Sequence, residues 1–266
     1  MTARRKFLYL EAFLEAISLY TGIFLWGGGF LAGFVDSIAG GGGIISLPVL
    51  LSVGIPPHQA LGTNKLQGSF GSLTAAVNYT RKGLVDFKAI VPGIVFTALG
   101  AALGTVAIQM LSVAFLQHVI PLLLAAVFLY TLFSPDMGRR DAKPKMDERL
   151  FYLLVGLMLG FYDGFFGPGT GSFWTVLFVL LLGIDLKKAT AHTKITNFTS
   201  NIVALSVFII GGKVLFLAGI IMGTGQMAGA FSGSRLVIRN GVGFVRVFFL
   251  VVVAVTVVRL IYVTYF

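Results

Sequence analysis

Cysteine is missing from the 266-residue chain, which excludes a disulfide framework and a thiolate metal site. Charge is nearly as scarce. Asp, Glu, Lys and Arg make up 11% of the residues against 57% apolar ones, where a soluble domain carries roughly 25% charged residues. A water-facing globule of this size needs more charge to cover its surface, so that class is excluded. Disorder is excluded too, because it requires low hydrophobicity. Acidic residues are the rarer sign: 10 Asp+Glu stand against 20 Lys+Arg, a formal net charge of +10. No continuous basic face accompanies that excess, so no nucleic-acid partner is expected. The basic residues sit in short loops beside apolar runs, as orientation signals do. Also lacking are Gly-x-Ser-x-Gly, His-Glu-x-x-His and a phosphate loop ending in Gly-Lys-Ser/Thr,. The expectation is therefore a non-enzyme without a cofactor, and the separated His58, His118 and His192 give no metal-ligand spacing,. With a mean hydropathy of +0.94, what remains is an all-α, polytopic transmembrane bundle whose first partner is the lipid bilayer.

Charge-free runs place the spans. Ala16 to Val35 is long enough to cross a ~30 Å hydrocarbon core,. Ala89 to Pro135 must hold two spans with a turn near Met110 to Ala114, and Gly164 to Ile184, Ile195 to Gly212, Val214 to Ser234 and Val247 to Phe266 are each near spanning length. Ile44 to Val53 is short, and Leu66 to Thr80 follows Lys65 directly. The count is eight spans, or ten if these segments cross. Arg4, Arg5 and Lys6 could open a signal peptide, but Glu11 and Glu15 interrupt it, so an uncleaved first helix is expected,. The charged stretch 136–149 divides a first repeat, 1–135, from a second, 150–266.

The halves resemble each other. At an offset of 127, Gly33-Phe34, Asp36, Gly40 and Gly42 match Gly160-Phe161, Asp163, Gly167 and Gly169. At an offset of 129, Ala60, Lys65, Ala75, Gly83, Val85 and Phe87 match Ala189, Lys194, Ala204, Gly212, Val214 and Phe216, and Gly100 and Gly104 match Gly229 and Gly233. Paired Asp and Lys in a charge-poor chain mark an internal duplication. Four spans per half give parallel copies and five give inverted copies. Loop Lys and Arg divide twelve inside and four outside under either arrangement, so the positive-inside rule does not choose. Both put the linker in the cytoplasm. Inversion is preferred because it gives alternating access directly.

Two constellations in each half can carry chemistry. The first is a glycine break: Asp36-Ser-Ile-Ala-Gly-Gly-Gly-Gly43, with Asp163-Gly-Phe-Phe-Gly-Pro-Gly-Thr-Gly171 as its partner. Such runs break a helix, and freed backbone amides cannot face lipid. A helix restarting at Ile44 or Ser172 would aim its positive end at a cavity and bind anions, with Gly41, Gly42, Gly169 and Thr170 supplying contacts. The isolated Gly100 and Gly104 fit close helix packing instead. The second constellation opens the next span: Gly62-Thr-Asn-Lys-Leu-Gln-Gly-Ser-Phe-Gly-Ser72, and Ala191-His-Thr-Lys-Ile-Thr-Asn-Phe-Thr-Ser-Asn201. A mid-helix Lys costs about 2.5–3.5 kcal/mol to insert, so Lys65 and Lys194 face protein or water, or else snorkel to an interface. Asn64, Gln67, Thr193 and Asn197 stand beside them as hydrogen-bonding groups for a small oxyanion. Asp36 and Asp163 either balance the lysines, take up a coupled proton or cation, or cap the next helix. His192 is placed with this group for charge balance or coupling.

At Gly33-Phe-Val-Asp-Ser-Ile-Ala-Gly-Gly-Gly-Gly43, Ala60-Leu-Gly-Thr-Asn-Lys65, Gly160-Phe-Tyr-Asp-Gly-Phe-Phe-Gly-Pro-Gly169 and Ala189-Thr-Ala-His-Thr-Lys194 the chain resembles the TauE/SafE sulfite-exporter family. The resemblance runs over nearly the whole sequence and is to a subgroup of bacterial inner-membrane permeases rather than to the named exporters. It implies a duplicated helical fold that moves small sulfur-containing anions such as sulfite, sulfonates or sulfoacetate. The expected function is a secondary transporter for a small anionic solute in a bacterial inner membrane, possible also as a homo-oligomer. The alternatives are an anion channel and a cation- or proton-coupled permease for a non-sulfur organic anion.

Overall fold

The computed structural model describes residues 18–133 and 143–240. The expected N-terminal basic helix start, the linker charges of 136–142 and the last segment, with Arg246 and Arg259, lie outside the described residues. All regular structure among those described is helical. Helix α1 (Leu19–Ala39) starts where the Ser18 hydroxyl accepts the Thr21 amide at 3.2 Å, and it stops at Gly40, whose φ of 73° is left-handed,. After the break come α2 (Gly42–Ser52) and α3 (Pro57–Arg81). Pro57 suits the first helical position, which needs no amide donor. Helix α4 (Phe87–Gln109) is capped by the Asp86 carboxylate, and α5 (Val113–Phe133) follows the turn expected near Met110.

The second half repeats this plan. A short α6 (Glu148–Phe151) runs through a widened turn, Tyr152–Gly156, into α7 (Leu157–Phe165). Then come α8 (Thr170–Leu182), α9 (Leu186–Ile210), capped by Asp185, and α10 (Phe216–Asn240).

Three expectations change. The charge-free run Gly164 to Ile184 is not one helix but the end of α7 and all of α8, because Gly167 and Gly169 take φ of 99° and 82°,. The helices restart at Gly42 and Thr170, two residues before Ile44 and Ser172, since glycine enters the first turn and Asp36 Oδ1 accepts the Gly42 amide at 3.3 Å. The weak segment at Leu66 to Thr80 belongs to a full 25-residue helix. Its hydropathy is low because Asn64, Lys65, Gln67, Ser69 and Ser72 all lie buried within protein. By length and composition, Leu19–Ile38, Phe87–Gln109 and Leu186–Ile210 are helices able to cross a membrane among the described residues.

Contacts fix the helix directions. Along α1 and α10, Gly29 approaches Met222 and Gly33 approaches Gln226, so these two run parallel. Along α4 and α7, Gly100 approaches Leu157 and Gly104 approaches Phe161, again in parallel. The repeat-related pair α3 and α9 runs the other way: Gly62 faces Phe208 while Gly68 faces Asn201. Copies related by an axis along the membrane normal would keep their central helices parallel. Antiparallel central helices place the axis in the membrane plane, which is the inverted arrangement. Helix α1 of the first half packs on α10 of the second, and α7 of the second packs on α4 of the first, so the halves interlock.

Glycine makes that interlock possible. A Cβ on Gly229 would sit 2.0 Å from the Phe30 carbonyl oxygen, and one on Gly104 would sit 2.0 Å from that of Phe161. Lipid tails give helices no hydrophobic reason to pair, so backbone approach and dispersion must hold the seam. Gly100 and Gly104 thus serve close packing, as do their repeat-mates Gly229 and Gly233.

Candidate solute-binding site

The two glycine breaks meet. The Gly40 carbonyl accepts the Ser172 amide and hydroxyl, both at 2.9 Å, joining the end of α1 to the start of α8. A Cβ on Gly40 would lie 2.4 Å from the Gly171 backbone, and one on Gly43 would lie 3.0 Å from Pro168. Only glycine lets the two breaks come this near.

Beside the breaks, each lysine crosses to the other half. Lys65 Nζ lies 2.6 Å from Asp163 Oδ1 and also donates to the Asp163 carbonyl. Lys194 Nζ lies 3.1 Å from Asp36 Oδ2 and donates to the Asp36 carbonyl. Lys65 and Lys194 are 2% and 0% exposed, so neither snorkels to an interface. A buried ammonium needs a counter-charge and satisfied hydrogens, and here the duplication supplies both twice. The pairs differ in support. Ser200 donates to Asp163 Oδ2, whereas Asp36 uses its remaining oxygen on the Gly42 amide. Asp36 therefore both balances a lysine and caps α2.

Between these pairs lies a cavity of about 30 Å³, room for roughly two waters. Among the described residues its lining is Asp, Lys, Asn, Gln, Thr and Gly, with no apolar side chain. Of the residues singled out in the sequence, Lys65, Asn64, Gln67, Asn197, Gly42, Gly169, Thr170, Asp36 and Asp163 lie in that lining. Asn64 accepts from Gln67 Nε2 at 2.7 Å and from the Ser46 hydroxyl at 2.5 Å, a network that holds α2 to α3.

Four others lie apart from the lining. Lys194 is spent on Asp36 behind it. Thr193 shares a hydrogen bond of 3.1 Å with Thr175, tying α9 to α8. His192 Nε2 accepts the Asp86 amide at 3.1 Å and meets the Phe178 ring edge-on, a joint between α9 and the start of α4. Gly41 is the cap residue before α2. Gly40, Gly43, Gly68, Gly167, Gly171, Asn201 and Gln226 complete the lining. Asn201 shares a helix face with Lys194 and Asn197 and was accessible to spacing. Gln226 was not, because its only sequence signal is one amide within an apolar, glycine-rich span.

Residues 25–260 match the family model described as "Sulfite exporter TauE/SafE". A "Probable membrane transporter protein" of Haemophilus influenzae is 46% identical over 218 residues, covering 82% of this chain and 86% of its own. The Sinorhizobium sp "Probable membrane transporter protein ORF9" is 43% identical over 247 residues, 93% of this chain and 95% of its own. The Escherichia coli K12 "Probable membrane transporter protein YfcA" is 43% identical over 232 residues, 87% and 86%. No solved structure matches the chain. A duplicated helical bundle with a buried polar cavity, matched to these proteins over most of its length, belongs to the TauE/SafE family of membrane transporters.

Proposed function

We propose that the chain is a secondary transporter of small oxyanions, sulfur oxyanions first among them, in a bacterial inner membrane. The observation that carries this reading is a cavity lined, among the described residues, by polar, charged and glycine residues and sited where two helices begin. Helix starts favour negative charge, and a compact oxyanion is the size of the few waters it would displace. Lys65 is the ammonium in the lining, with Asn64, Gln67 and Asn197 as orienting amides. Because each lysine already holds an aspartate, the empty site is close to neutral. An entering anion competes with Asp163 for Lys65 and weakens the cross-repeat tie. That gives the solute a differential hold on two states, which any ligand-driven change requires. Rocking of the inverted halves then exposes the site to either side.

Purified protein in liposomes tests this with labelled sulfite. Trans-stimulated exchange is expected, and its absence alongside simple flux would mean a channel. A thermal-shift series of sulfite, thiosulfate, sulfoacetate, taurine, sulfate and simple carboxylates ranks the solutes, since a ligand bound only by the folded form raises stability. No stabilisation by any of them removes the anion reading. If a cation stabilises the wild type and Asp36→Asn and Asp163→Asn abolish that shift, while no anion has any effect, the aspartates carry a cation instead.

A further inference from the structure

The inverted halves are not equivalent at the cavity, and one inequality centres on Gln226. At the offset of 129, Gln226 on α10 corresponds to Thr97 on α4, and Ser200 on α9 corresponds to Gly71 on α3. In one half, Ser200 fills its place and clamps Asp163. In the other, Gly71 leaves that place open and Gln226 occupies it: a Cβ on Gly71 would meet Gln226 Cγ and Nε2, each at 2.5 Å. Gly33 makes room from α1, since a Cβ there would sit 2.7 Å from Gln226 Cγ. Two glycines thus form a slot through which the Gln226 side chain reaches the cavity, where it lines the wall. Its Oε1 is buried with no hydrogen-bond partner among the described residues, and the residue is 2% exposed. Gln67 Oε1 and Asn197 Oδ1 are likewise buried, unpartnered and in the same lining.

A buried carboxamide oxygen without a partner is destabilising and adds nothing to packing that an apolar residue would not supply. Among the described residues three such carboxamides surround one cavity, and half a turn of the terminal torsion lets each present its N–H donors to an anion there,. Asn197 and Gln67 belong to the helices that carry the lysines, but Gln226 comes from a helix with no other polar group in the lining. Thr97 is too short to do the same from the other half and does not line the cavity.

We infer that Gln226 is a solute-contacting residue that sets selectivity. It offers the transported oxyanion a carboxamide that can rotate to donate to an oxygen or accept from a protonated one, and Gly33 and Gly71 are small so that it can. The inference rests on the oxyanion reading above and adds a named selectivity residue to it.

The experiment measures sulfite, sulfate and thiosulfate binding by thermal shift, and labelled-sulfite exchange, for full-length wild type, Gln226→Met, Gln226→Glu and Gly71→Ser. Met keeps the length and removes the amide, Glu places a carboxylate against the anion, and Gly71→Ser restores the other half's serine and pushes the amide out. Expected is a loss of apparent sulfite affinity of about tenfold or more in Gln226→Met, a larger loss in Gln226→Glu, and a changed order among the three anions. Gly71→Ser should match Gln226→Met, which covers the case in which the latter fails to fold. Wild-type affinity and anion order in folded Gln226→Met or Gly71→Ser would overturn the assignment and leave the oxyanion reading standing. No anion response from the wild type would overturn both.

Discussion

Lys65 in the first half holds Asp163 in the second at 2.6 Å, and the duplication returns the bond as Lys194 to Asp36. Neither half satisfies its own lysine. The folded unit is therefore the interlocked pair, and opening the cavity toward one side must disturb at least one of these ties.

Separate removal and joint removal of one pair should differ. Lys65→Met leaves the Asp163 carboxylate buried without its cation, a loss of about 3–5 kcal/mol for breaking one side of such a pair. Lys65→Met/Asp163→Asn should regain much of that loss in thermal unfolding in detergent, yet remain inactive in exchange assays. Lys65→Ala and Lys194→Ala should each abolish anion movement in proteoliposomes. Wild-type rates in both would take the lysines out of the mechanism.

The inverted arrangement predicts which side of the membrane each loop meets. Helices α3 and α9 are antiparallel, so the repeat-related loops after them face opposite compartments. The cysteine-free sequence allows Lys82→Cys and Lys213→Cys to be labelled singly with a membrane-impermeant thiol reagent. Intact cells and inverted vesicles should give opposite patterns for the two variants. Labelling from the same side would establish parallel repeats.

Glycines of similar sequence setting should respond differently to alanine. Gly104→Ala and Gly229→Ala drive a Cβ into a neighbouring carbonyl and should cut the yield of monodisperse protein severalfold. Gly27→Ala, with nothing within 4 Å, should be neutral or add about 0.5–1 kcal/mol of helix stability. Size-exclusion profiles and melting curves of the three variants check this.

Backbone strain and close approach separate in the same way at two left-handed glycines. Gly54→Ala has φ of 83° but open space around it, so it should cost about 1 kcal/mol and leave transport intact. Gly40→Ala combines φ of 73° with a Cβ 2.4 Å from Gly171. It should separate the two breaks and abolish exchange. An active Gly40→Ala would show that the breaks need not touch.

Much of this was legible in the chain because charge is rare in it. When few residues carry charge, a repeated Asp and a repeated Lys stand out, and Asp36, Lys65, Asp163 and Lys194 mark the centre of the molecule in the sequence itself. The glycine breaks were visible for a related reason, since four glycines in a row cannot stay helical. Their partners were not visible. Nothing in spacing says that Lys65 answers to Asp163 rather than Asp36, or that His192 and Thr193 serve joints between helices while Gln226 reaches the cavity. Positive-inside counting left inversion undecided, because the two arrangements put different loop residues inside but equal numbers of Lys and Arg,.

Composition determined the solvent and the helical class, because lipid admits few ways to satisfy a backbone, and residue order determined the duplication, because each copy repeats the same local chemistry at a constant offset,. Tertiary structure decided the direction of the copies, the crossing of the ion pairs and the occupant of the space at Gly71. Those depend on which surfaces meet across long sequence separations, and a period or a motif holds no record of the helix on the other side.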